Sequence, residues 1–217
     1  MLHHAKNKLY FSHITMTTPQ TLKGSKTNLY IDGTNLFVGL VELFGFKNFP
    51  KFSSILKDIN EVIKIDRIFF YASYTLPTNK KYKDSIATEV KFYKQVRETP
   101  NLTFYKGHRS PTSGKEKGVD VHLAIDITKD AFQRKYNQAV IMTGDADLVY
   151  AIEIAKSQNI PVHAIFLPNR FSRGIAHTAN TATILNYNNQ FKAFQPEKFP
   201  KQLKIVTTKT PVRKRTG

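Results

Sequence analysis

The stretch Asn28-Leu29-Tyr30-Ile31-Asp32-Gly33-Thr34-Asn35 decides the reading of this chain. A short apolar run ends on an aspartate and a glycine, and a helical pattern follows at once (Leu36, Val38, Leu40, Val41, Leu43, Phe44). That is a strand handing over to a helix, the repeating unit of an α/β domain. Two further junctions of this kind lie downstream. Asp120 opens the helical-looking VDVHLAIDITKDAF, and Asp145 and Asp147 follow the run Ala139-Val140-Ile141-Met142. If the strands are parallel neighbours, Asp32, Asp120, Asp145 and Asp147 meet beyond the carboxyl edge of one sheet, where open α/β folds bind ligands. Four carboxylates sharing one space must take up protons or be neutralised by cations. Oxygen ligands select hard divalent ions, so Mg²⁺ or Mn²⁺ and metal-assisted phosphoester chemistry are expected.

The elements between these junctions alternate regularly. The sequence predicts helices over 34–45, 52–62, 79–98, 118–132 and 146–157. It predicts strands over 28–32, 66–74, 102–105, 139–143 and 161–167, with a last short one at 182–185. Residues 107–117 (GHRSPTSGKEK) read as a polar loop. Such alternation predicts a three-layer α/β/α sandwich around a mainly parallel sheet.

Composition bounds the partners. The 217 residues carry 33 Lys and Arg against 16 Asp and Glu, a formal charge of +17, with 41% hydrophobic residues and no cysteine. Disulfides, a thiolate nucleophile and zinc–thiolate sites are excluded, and a cytoplasmic setting is expected. No apolar run approaches a membrane span, so the surplus charge points to a polyanion rather than a membrane. The charge is concentrated at the ends. Residues 1–26 hold Lys6, Lys8, Lys23 and Lys26 and no acid, while 196–217 hold seven basic residues and only Glu197. The expected organisation is a flexible basic arm (1–26), one domain (27–195) and a flexible basic tail (196–217). Arg109, Lys115, Arg170 and Arg173, with His108 and Phe171 nearby, are candidates to guide such a polyanion towards the acids and offer it a stacking surface.

DGTN, KGVDVHLAID and TGDADL, in this order, resemble the NYN domain of the PIN-like nuclease superfamily, in particular its LabA-like branch. The resemblance covers residues 27 to about 187. It implies a metal-dependent ribonuclease, in which Asp32, Asp120, Asp145 and Asp147 hold Mg²⁺ or Mn²⁺ and Asn35 and Lys117 belong to the catalytic set. Asn35 cannot titrate and is expected to fix a water or phosphate, and Lys117 to place positive charge near the reaction. Asp126 matches an acid frequent in the group, but it is six residues past Asp120 and about 600° around the helix, which suits a structural role. Ala146 and Leu148 depart from the GDSDF of many members without removing a carboxylate. The expected partner is single-stranded RNA or structured loops, bound by a monomer or homodimer.

Two other readings compete. A catalytically idle member would bind RNA or a protein through its basic surface. A haloacid-dehalogenase-like phosphatase would need an acid at position 30, where Tyr30 stands, and another at position 149, where Val149 stands.

Overall fold

The structure is a computed structural model, and it describes residues 26–48, 50–75, 83–110, 112–192 and 198–208. In chain order the elements are β1 (Thr27–Asp32), α1 (Gly33–Asn48), α2 (Phe52–Val62), β2 (Arg67–Ala72), α3 (Lys83–Arg97) and β3 (Leu102–Lys106). Then come β4 (His108–Arg109), β5 (Glu116–Lys117), α4 (Val119–Phe132), β6 (Gln138–Met142), α5 (Val149–Ser157), β7 (Val162–Phe166), α6 (Arg173–Thr178), β8 (Thr181–Asn186) and β9 (Leu203–Thr207). Seven strands make one sheet in the order β3-β2-β1-β6-β7-β8-β9, and every pairing in it is parallel.

Parallel strands buried on both faces are rich in apolar residues, as Leu29–Ile31 of β1 and Ala139–Met142 of β6 are. All of β1, and all of β6 after Gln138, is buried. Alternation then sorts the residues into two cores. Leu29, Ile31, Val140 and Met142 face α1, α2 and α3 together with Phe37, Phe52, Phe70, Phe92 and Tyr93. Tyr30, Ala139 and Ile141 face α4, α5 and α6 together with Leu123, Ile127, Ile152 and Ile175. The first core is strongly aromatic. Phe52 meets Phe70 edge-on at 5.7 Å and Phe92 at 5.9 Å, the geometry that ring quadrupoles favour. The α/β/α sandwich expected from the sequence is present.

Gly33 shows why the opening motif takes this form. A Cβ there would lie 2.0 Å from the Phe70 ring, so α1 can begin against β2 only without a side chain. Thr34 and Asn35 follow at the strand's mouth.

Two expectations are corrected. Residues 107–117 are not merely a polar loop, because β4 and β5 pair antiparallel through His108↔Lys117 and Arg109↔Glu116. The segment from 196 onwards is not wholly a tail either. Within it, β9 pairs with β8 from Ala182↔Leu203 to Asn186↔Thr207 and forms one edge of the sheet. Phe199 also packs against Phe171 at 5.4 Å. The seven basic residues outweighed the Leu203-Lys204-Ile205-Val206 pattern because an edge strand is only half covered and tolerates lysine. Residues 1–25, 196–197 and 209–217, the remainder of the expected arms, lie outside the described residues.

A truncation test follows. A 1–208 chain should unfold at the wild-type temperature. A 1–195 chain, which loses β9 and Phe199, should unfold more than about 5 °C lower, since about 1 kcal/mol moves a domain of this size by a few degrees. Equal midpoints by differential scanning fluorimetry would remove β9 from the stable sheet.

Candidate active site

The strand order reverses between β1 and β6, with β2 and β3 to one side and β7 to β9 to the other. Helices leave the sheet in opposite directions there, which opens a crevice beyond the carboxyl ends of the two strands. A cleft of about 480 Å³ occupies that position. Its lining includes Asp32, Thr34, Asn35, Glu116, Asp120, Gly144, Asp145, Arg170 and Phe171.

Asp32 closes β1 and is 4% exposed. Its Oδ1 accepts the Asn35 backbone N–H at 2.9 Å, and its Oδ2 accepts the Thr143 hydroxyl at 3.0 Å. Thr143 Oγ1 in turn accepts the Asp145 N–H at 3.0 Å, so one buried hydroxyl ties the two acidic junctions together. Asn35 adds a second tie, its Oδ1 accepting the Gly144 N–H at 3.1 Å. Gly144 is required by close approach, since a Cβ would meet the Arg170 carbonyl oxygen at 2.6 Å. Asp145 Oδ1 accepts the Asp147 N–H at 3.0 Å and so caps the 3₁₀ turn Ala146–Leu148 that leads into α5.

The hairpin contributes an acid that sequence reasoning missed. Glu116 Oε2 accepts the Thr34 hydroxyl at 2.8 Å and the Ser73 N–H at 3.0 Å, and the Ser73 hydroxyl donates to it as well. Arg109 Nη2 lies 3.9 Å from the same oxygen. The available signal was a second carboxylate four positions before Asp120 in an acid-poor chain. The tie that Thr143 makes between Asp32 and Asp145 had no such signal.

The electrostatics follow from crowding. Burial pushes the Asp32 carboxyl up to about 7, against the lowering effect of its two donors, and Asp120 and Glu116 raise it further. Burial, then Asp145, Glu116 and Asp147, also raise Asp120. Negative charge is therefore under strain in the cleft, and a cation would relieve it.

The structure brings Asp32, Asn35, Asp120 and Asp145 together as expected and Arg170 beside them. Other expected site residues stand elsewhere. Asp147 and Lys117 are exposed and outside the lining, because the Asp147 backbone is held in the cap and Lys117 sits on the short β5. Lys115 is exposed on the hairpin. Arg109 is folded into that hairpin, donating to the Gly114 carbonyl at 3.2 Å. Arg170 pairs with Glu42, and the Arg173 guanidinium lies 5.9 Å over the Phe199 ring. Phe171 lines the cleft but is packed among Phe166, Phe191 and Phe199. Asp126 lies apart, accepting the Tyr71 hydroxyl at 2.9 Å.

Among the described residues, no three Asp, Glu or His side chains form a finished metal cage. The donor set still fits a hard ion. It is all oxygen and charge-crowded, and Mg²⁺ is commonly held by one or two carboxylates, with water and substrate oxygens completing the shell.

The NYN domain family matches residues 26–188, most of the chain and the whole cleft. The chain belongs to the NYN domain family. No curated protein matches it. Among solved structures, a protein of unknown function from Vibrio parahaemolyticus shares the fold of this NYN domain. The TM-score is 0.54 at 13% identity, covering 74% of this chain and 92% of that one. Two nicotinamidases also align, from Staphylococcus aureus (14% identity, TM-score 0.33, 72% of this chain and 90% of that one) and Streptococcus mutans (9%, 0.32, 71% and 93%). Scores that low bear on neither fold nor chemistry. No helix among the NYN domain's described residues is long and apolar enough to cross a membrane.

Proposed function

We propose that this NYN domain, of the LabA-like branch, is a ribonuclease dependent on Mg²⁺ or Mn²⁺ and acts on single-stranded or loop RNA in the cytoplasm. One observation carries the reading. Asp32, Asp120, Asp145 and Glu116 border a single polar cleft at the switch point of the sheet.

Asp32, Asp120 and Asp145 would hold the ion, with Glu116 and Asp147 adding negative charge nearby. Bound there, a divalent ion supplies Lewis acidity at phosphorus and a water ionised near neutral pH. The chain's own residues do the positioning. The Asn35 N–H and the Thr143 hydroxyl occupy one lone pair on each oxygen of Asp32 and leave the outward pairs for a ligand. The Asn35 side chain holds Gly144, and with it the angle at which Asp145 enters the cleft. Arg170, which lines the cleft and shares its guanidinium with Glu42, would meet a phosphate oxygen there. The basic ends add affinity for the RNA backbone without reading sequence.

One second reading, an RNA binder without catalysis, needs only the basic surplus of the chain and no ion. The two are separated by adding Mn²⁺ to wild-type and Asp145→Asn protein. A site ion should raise the wild-type melting temperature and raise the variant's much less, and EDTA should stop cleavage of a labelled RNA. Equal shifts in both proteins, or cleavage that survives EDTA, would overturn the metal mechanism.

A further inference from the structure

A second groove, distinct from the acidic cleft, lies on the opposite flank of α4. It runs across the face of β1, β2 and β3 that α4 leaves partly uncovered and has a volume of about 290 Å³. Period-two alternation brings Arg67, Phe69 and Tyr71 of β2 and Thr103 and Tyr105 of β3 to that face, and all five line the groove. At the end near the active site, the Tyr105 and His122 rings stack at 4.1 Å and 25°. Both rings border Gly118, the residue before α4, so the groove begins two residues from Asp120. From Tyr71 to Arg67 it extends about 13 Å along the strand.

Three observations say what it takes. Phe69 and Tyr105 on the sheet are half-buried, and His122 on α4, just beyond the lining, is exposed. Phe69 stacks on Tyr30 and Tyr105 on His122 with one face each, and a partly open ring accepts an unpaired base of any identity on its other face. Asn28 is 2% exposed, and its Nδ2 donates to the Tyr30 hydroxyl at 3.2 Å, which in turn donates to Asp130 at 3.0 Å. That chain fixes the amide and leaves Asn28 Oδ1 buried without a partner, on the groove wall. An acceptor of this kind fits the exocyclic amine of a base. The charge is modest and of the right sign. Lys129 pairs with Asp126 and Lys135 with Asp130, while Arg67 has no carboxylate partner among the described residues and stands exposed at the far end.

We propose that this groove binds an unpaired segment of the RNA strand, stacking its bases on His122, Tyr105 and Phe69 and leading its backbone to Arg67. The proposal rests on RNA being the substrate, and it extends the recognised strand well beyond the scissile bond. Recognition is by stacking more than by charge.

The test uses the full chain and two unstructured fluorescein-labelled RNAs, a 12-mer and a 3-mer, with affinity read by anisotropy. His122→Ala and Arg67→Glu alter exposed residues and should leave the fold intact, as melting temperature will show. Each should weaken 12-mer binding about tenfold, the lower part of the range for a lost stacking partner. Binding of the 3-mer should change much less. Affinity for the 12-mer within twofold of wild type, an equal loss for the 3-mer, or no RNA binding by wild type would each overturn the groove. If the 12-mer binds through these residues but is never cleaved, the groove stands and the ribonuclease reading falls. If it is cleaved without depending on them, the reverse holds.

Discussion

RNA cleavage by the Asp145→Asn protein should fall at least about a thousandfold, with Asp32→Asn close behind, because several kcal/mol of transition-state charge stabilisation would be lost with the ion. RNA binding should hold or tighten, since each change removes negative charge beside phosphate. The two variants differ in what else they disturb. Asn at 145 keeps an oxygen to cap the turn at Asp147. At 32, it keeps an oxygen for the Asn35 N–H but presents an amide to the Thr143 hydroxyl. A parallel loss of RNA binding and cleavage would mean that the change had damaged the fold or the RNA surface rather than the chemistry. Single-turnover cleavage with RNA in excess of its dissociation constant separates these outcomes.

The second large effect is on stability and depends on pH. Burial raises the Asp32 carboxyl to about 7 in the folded protein, against about 4 for an ordinary aspartate. Between those values the folded state keeps a proton that the unfolded chain has released, so stability falls as pH rises through that window and is level above it. In EDTA, Asp32→Asn removes this loss. The variant should gain on wild type by about 1.4 kcal/mol per unit from about pH 4 to 7, reaching roughly 4 kcal/mol or about 10 °C. The comparison must be differential, because His163, pushed down to about 4 by burial, works in the opposite sense over part of the same window. A stability gap that does not change between pH 4.5 and 8 would refute the burial of charge at Asp32.

The legible parts of the site were those whose signal is local. Asp32, Asp120 and Asp145 each stand where an apolar run meets a helical pattern, and a parallel sheet carries such junctions to one edge without further information. Glu116 was not legible, because its strand is two residues long and its partners, Thr34 and Ser73, are distant in sequence. Arg109 looked like a free cation for the same reason, since only the hairpin shows that it is held by Gly114 and Glu116. Asp147 shared its motif with Asp145, yet the capping bond between them turns one into the other's support. β9 was obscured by its own lysine, where composition outweighed a four-residue pattern.

An interior strand of the sheet, β1, is also the first in the described chain. β1 pairs with β2 from Asn28↔Arg67 onwards and with β6 from Thr27↔Gln138 onwards, and the bond from Thr143 to Asp32 spans 111 residues. Closing so long a loop before its contacts can form is slow. During synthesis, β1 must wait for β6 with one hydrogen-bonding edge open, and the cleft cannot exist in any nascent chain that ends before Thr143. Assembly of the acidic cleft and pairing of β1 with β6 are therefore one kinetic event. A mutation that delays this pairing would lower the yield of active molecules without changing the activity of those that fold.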